Sequence, residues 1–245
     1  MRATLRLLVL LVPALTAHGS NPVPFLAPIV EQMERAQSEI GIPNHVTRDY
    51  QFGREGSARV DSDVSADVDF RTGTYTVKKL SGSGVGVQVV KRILEREVAI
   101  AASTQKSRLT AITRENYVFS YLGEAALDGQ SYYLLRLDPS RPKQPELISG
   151  QVWVDKRSFL IRRIEGGVKS SSWWVKKIHV RLDFANPQAT WVLSGMEAVA
   201  SVRYLGDRKL TSHMSSFSGQ PANVTAKTAK HLKIAREGLA ASVLK

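Results

Sequence analysis

From about Ser57 to Phe217 the chain alternates apolar and polar residues in runs of strand length, separated by short turns. A period of two suits a sheet with one dry face and one wet face, and little else. In Ser57–Phe70, Val60, Val64, Val68 and Phe70 occupy even positions, while Asp61, Asp63, Asp67 and Asp69 occupy odd ones. His45–Phe52 and Thr74–Leu80 read as strands on either side of it. Asn116–Leu127 and Ser131–Leu137 flank Asp128-Gly129, a pair suited to a type I′ hairpin. Ser149–Val154 and Phe159–Glu165 flank a turn at Asp155-Lys156-Arg157, and Trp174–Phe184 ends at Asn186-Pro187. Thr190–Tyr204, a turn at Gly206-Asp207 and Arg208–Phe217 complete the series.

Two segments switch to helical spacing. In Phe25–Ile40, Leu26, Ile29, Val30, Met33, Gln37 and Ile40 share a face, with Gly41 and Pro43 as stop signals. In Val87–Ala102 the stripe is Val87, Val90, Leu94, Val98 and Ala101. The predicted fold is mainly β (α+β): an incomplete antiparallel β-barrel or strongly curved sheet with a helical lid.

Met1–Gly19 has the order of an export signal: basic Arg2 and Arg6, an apolar run Leu7–Val12, then small residues. The run is far shorter than the ~20 residues of a membrane-spanning helix. The expected organisation is a cleaved signal over 1–19, a binding domain over 20–217, and a basic C-terminal tail over 218–245. That tail carries Lys227, Lys230, Lys233 and Arg236, with Leu232, Ala235, Leu239 and Val243 on a helical stripe. There is no cysteine, which excludes disulfides, thiolate metal sites, a cysteine nucleophile and lipid attachment at the signal cleavage site. The expected compartment is the periplasm. The formal net charge of +12 favours an anionic partner; export makes nucleic acid the least suitable one and leaves transient contact with an anionic membrane surface. A monomer is the favoured state.

No catalytic constellation emerges. Gly82-Ser83-Gly84-Val85-Gly86 sits between a strand and a helix, but the third glycine of a dinucleotide fingerprint is replaced by Val87 and no Gly-Lys-Ser/Thr follows. His45, His179, His213 and His231 lack metal-pair spacing. Glu95 and Glu97, flanking Arg96, read as a solvated helix face. No enzyme, cofactor or metal is expected.

The aromatic and basic residues are more directive. On Trp174–Phe184, Trp174, Ile178, Val180, Leu182 and Phe184 share a face, interrupted by Lys176. Tyr133, Leu135 and Leu137 do the same on Ser131–Leu137. With Trp191 and Met214 these residues are the candidate lining of an apolar cavity. Arg162, Arg163, Lys176 and Lys177 are the candidate contacts for an anionic headgroup. A filled sandwich core remains the alternative.

Glu115-Asn116-Tyr117, Leu127-Asp128-Gly129, Gly150-Gln151-Val152-Trp153-Val154-Asp155, Ile161-Arg162-Arg163-Ile164-Glu165-Gly166 and Trp173-Trp174-Val175-Lys176-Lys177 follow one another in that order. In this the chain resembles outer-membrane lipoprotein-sorting proteins of the LolA/LolB-like superfamily, over roughly His45–Phe217. The resemblance implies an incomplete barrel whose apolar concave face holds acyl chains beneath helices, here Phe25–Ile40 and Val87–Ala102. It implies a carrier of lipid or acylated protein. No residue is matched to the arginine that anchors the lid in that family. The alternative is an envelope stress-sensing or regulatory module that binds a protein on the same sheet.

Overall fold

The computed structural model describes residues 26–40, 43–82, 84–101, 109, 111–141, 147–169, 173–187 and 190–219. The expected signal over 1–19 and the basic tail beyond residue 219 lie outside them. The elements in chain order are α1 (Leu26–Glu39), β1 (Pro43–Arg54), β2 (Val60–Asp69), β3 (Thr74–Gly82), α2 (Val85–Ala101), β4 (Tyr117–Leu127), β5 (Gln130–Pro139), β6 (Ile148–Asp155), β7 (Ile161–Val168), β8 (Val175–Ala185), β9 (Val192–Val202) and β10 (Gly206–Gly219).

The ten strands form one antiparallel sheet in the order β3-β2-β1-β10-β9-β8-β7-β6-β5-β4. The chain enters mid-sheet at β1 and runs out to the β3 edge. It crosses through α2 to the other edge at β4, then meanders back until β10 pairs with β1. The sheet is not closed into a barrel, and α2 lies in the chain between its two edge strands, β3 and β4. Helix α2 packs against β1, β2 and β3, while α1 packs against β4. Inward residues of nine strands and apolar residues of both helices join in one buried cluster, and Tyr75 and Val77 of β3 pack half-buried against it.

The alternation read from the sequence is realised most cleanly in β2, where Val64, Ala66 and Val68 are buried and the aspartates face outward. Asp128 and Gly129 adopt φ of 51° and 77°, as a type I′ turn requires. One turn differs. The chain reverses at Arg203–Leu205, and Gly206 already belongs to β10, opposite Val202. This register puts Leu210 opposite Ala198 and Ser212 opposite Met196. The inward-facing set of β9 therefore decides where the hairpin closes.

The glycines of the β6–β7 pair have a packing role. Gly150 lies directly opposite Gly166, and a Cβ on Gly166 would stand 2.4 Å from the Ser149 carbonyl oxygen and 2.8 Å from the Gly150 Cα. Both obstacles are backbone and cannot rotate away. Gly166→Ala is expected to destabilise by about 1–3 kcal/mol, read as a lowered urea midpoint.

The outer face is laced with cross-strand ion pairs. Lys79 meets Asp63 at 2.8 Å, Arg163 meets Asp183 at 2.6 Å and Lys209 meets Glu197 at 3.0 Å. Asp67 is desolvated, which raises its pKa, but hydrogen bonds from Lys78 and Thr47 more than offset this and hold it below the ordinary carboxylate value. At Asp155 desolvation is likewise outweighed by hydrogen bonds from Ser158 and Arg157 across the β6–β7 turn. Lowered folded-state values contribute stability that is complete above the unfolded pKa of about 4 and is lost as pH falls through the folded values. The melting temperature is therefore expected to fall on acidification below about pH 4. Asp155→Asn should lower it at neutral pH and flatten that dependence.

Candidate ligand-binding face and its helical cover

The concave face is built by alternation. In β8, Ile178, Val180, Leu182 and Phe184 point inward and are buried. Leu135 and Leu137 of β5 and Val152 and Val154 of β6 continue the surface. Trp191 is buried just before β9, where its ring stacks on Phe184 at 4.4 Å and its Nε1–H donates to the Ile161 carbonyl at 2.8 Å. Met214 is half-buried against the same cluster. Tyr133 is also half-buried, with Phe159 stacked at 6.2 Å and the Lys156 ammonium 5.5 Å from its ring centre. The structure thus brings eight of the nine apolar candidates to one continuous core.

Trp174 is the exception. It lies in the turn ahead of β8 and is 41% exposed. A bulge between Val175 and Lys177 shifts the strand parity there, so Val175 packs against the core and Lys176 and Trp174 do not. The four basic candidates do not converge either. Arg162 is the extra residue of a bulge in β7. It donates to the Phe184 carbonyl and approaches Asp128 at 3.3 Å, at the end of the sheet that carries the β4–β5 turn. Arg163 faces outward onto Asp183. Lys176 and Lys177 are exposed at the opposite end of the sheet.

The polar centre of the concave face falls on residues that strand and helix patterns did not single out. The inward positions of β1 are Val46, Arg48 and Tyr50, all buried. Arg48 meets Glu97 of α2 at 3.3 Å, with side chains only 4% and 2% exposed. Glu97 is therefore no solvated face. It follows Val90 by seven residues and Leu94 by three, which puts it on the buried stripe of α2, and Arg48 has the inward parity of β1. That combined periodicity was the available signal. Burial pushes the Tyr50 phenol far above the ordinary tyrosine range, the Glu97 carboxylate pushes it further, and the Arg48 guanidinium works against both. Tyr50 therefore stays neutral.

Two other features place α2. Gly82 and Gly84 hold φ of 88° and 79° in the connection from β3. At Gly86 a Cβ would lie 2.6 Å from both the Phe52 ring and the Ser62 hydroxyl. The glycine-rich segment thus serves close helix–sheet packing rather than a phosphate. Among the described residues no cluster of acidic and histidine side chains could hold a metal, and no helix is long and apolar enough to cross a membrane. His179 faces Glu165 at 3.2 Å and His213 faces Asp49 at 3.5 Å, both on the outer surface.

No family model matches the chain, and no curated protein matches it. Among solved structures it is similar to MucB, at 10% identity over 85% of this chain and 96% of that one, with a TM-score of 0.28. It is similar to a LolA superfamily protein from Nitrosomonas europaea, at 12% identity over 77% of this chain and 92% of that one, with a TM-score of 0.39. It is also similar to an outer membrane lipoprotein-sorting protein domain from Vibrio parahaemolyticus, at 14% identity over 79% of this chain and 91% of that one, with a TM-score of 0.43. The last two bear the name of the group that the sequence resembles.

Proposed function

We propose that the chain is a periplasmic carrier of lipid or of lipid-modified protein, with the concave face of the sheet as its acyl-chain site. The observation that supports this best is a wide apolar face covered by two helices, one of which, α2, is tied to the sheet through a buried ion pair, Arg48–Glu97. A packed core has no need of a charge pair at its centre, because hydrophobic replacements of similar volume are often as stable or more so. A cover that must seat and unseat does need a specific, reversible anchor. Transfer of an acyl chain out of water contributes ~0.8 kcal/mol per CH₂, so binding requires few polar contacts. In this reading the cargo displaces the helical cover and lies along the apolar face that carries Leu182, Val180, Leu135 and Trp191. Carriage of lipoproteins between membranes is the specific form that the resemblance implies.

The test is native mass spectrometry of the mature protein purified from its host envelope, followed by organic extraction. Lipid or acylated peptide in near-stoichiometric amount is the expected result. A clean apo mass, together with failure to take up a fluorescent fatty acid, would overturn the carrier reading. The same sheet would then stand as a protein-binding regulatory module.

A further inference from the structure

One end of the sheet gathers exposed apolar side chains that the core does not use. The register sets the β7–β8 and β9–β10 connections side by side: Val175 lies opposite Val202, and the Arg203 N–H donates to the Trp174 carbonyl at 2.8 Å. Tyr204 is 93% exposed and Trp173 is 73% exposed, with Trp174 and Leu205 beside them. Exposed Val60 and Val85, at the starts of β2 and α2, lie at the same end of the sheet. Tyr204 also holds a φ of 67°, a left-handed conformation that Gly or Asn adopts more easily. Folding stability therefore does not account for a tyrosine at that position.

Many cations of the outer face sit beside acids, as in Lys79–Asp63, Arg163–Asp183 and Lys209–Glu197. At this rim Lys176 and Lys177 are exposed and make no ion pair among the described residues, and the Arg203 guanidinium lies over the Trp173 ring at 6.0 Å. The nearby acids Glu55 and Asp61 are engaged by Lys209 at 3.8 Å and by Arg208 at 3.2 Å, which leaves Asp207 as the acid beside the turn. Indole and phenol rings settle at the headgroup level of a bilayer, and unpaired lysine and arginine are drawn to anionic lipid.

We propose that this rim docks the protein on the surface of an anionic lipid bilayer. Trp173, Trp174 and Tyr204 seat among the headgroups, and Lys176, Lys177 and Arg203 pair with lipid phosphates. The docking does not depend on what the concave face carries.

Co-sedimentation of the full mature chain with vesicles tests this, comparing phosphatidylcholine containing phosphatidylglycerol with phosphatidylcholine alone. Binding is expected only with the anionic lipid and should weaken with salt. The W173S/W174S and K176E/K177E variants are each expected to lower partitioning about ten-fold or more with an unchanged melting temperature. Tyr204→Asn should lower partitioning while keeping or raising the melting temperature, so a loss of binding there cannot be a loss of fold. If these variants pellet like the unaltered protein, binding resides elsewhere, as on the basic tail, and the proposal fails. It fails equally if the unaltered protein ignores anionic vesicles, and the rim would then belong to a protein partner. Cargo in the native mass spectrum is read separately, so either result can fail alone.

Discussion

Glu97→Gln is expected to destabilise the folded chain by about 3–5 kcal/mol, because it leaves the Arg48 guanidinium buried without its counter-charge. Arg48 sits at the inward centre of β1, between buried Val46 and Tyr50, where solvent cannot compensate for the lost carboxylate. The neutral phenol of Tyr50 offers no replacement charge. The companion variant Arg48→Met/Glu97→Leu removes both charges and should recover or exceed the original stability. The urea midpoints of the two variants are the measurement. A Glu97→Gln protein within about 1 kcal/mol of the original would show that Arg48 is satisfied without Glu97, and the pair would lose its role as the anchor of α2. In the carrier reading the two variants also separate in function. Glu97→Gln should take up a fluorescent fatty acid faster than the original protein, and the doubly apolar variant should do so more slowly, because its cover is bound by apolar contact alone.

Leu182→Asp is the second large effect. Leu182 is 1% exposed, between inward-facing Val180 and Phe184 on β8, and its register partners are Ile164 and Met196. An isolated carboxylate there has no partner within the cluster, so the variant is expected to lose cooperative melting at neutral pH. Leu182→Ala gives the graded version: about 2–5 kcal/mol lost by the ligand-free protein, since methyl and methylene groups are removed from a fully buried site. Unchanged melting and unchanged fatty-acid uptake in Leu182→Asp would remove this face from the interior altogether.

The residues that the sequence assigns correctly are those whose fate depends on near neighbours. Alternation along β2 and β8, the Asp128-Gly129 hairpin and the two helical stripes are local patterns, and the structure realises each within a few residues. Where pairing enters, local reading fails in a definite way. Trp174 and Lys176 keep their parity with Ile178 in the sequence and lose it at the bulge beside Val175. Arg162 and Arg163 look alike in the sequence, yet a second bulge sends one to the end of the sheet and the other to Asp183 on the outer face. The β9–β10 turn falls at Arg203–Leu205 because Leu210 must meet Ala198, a condition no turn residue announces.

The sequence by itself determined an antiparallel, mainly β fold with one dry face, two amphipathic helices and a strong positive balance, because spacing and composition are properties of the chain taken segment by segment. Only the tertiary structure decided that Glu97 leaves water to meet Arg48 and that the four basic candidates part company. It alone decided that Trp173 and Tyr204 stand together at an open rim. Each of these is a meeting of residues distant in sequence, and the energy of a buried charge or an exposed ring is set by what the fold brings beside it.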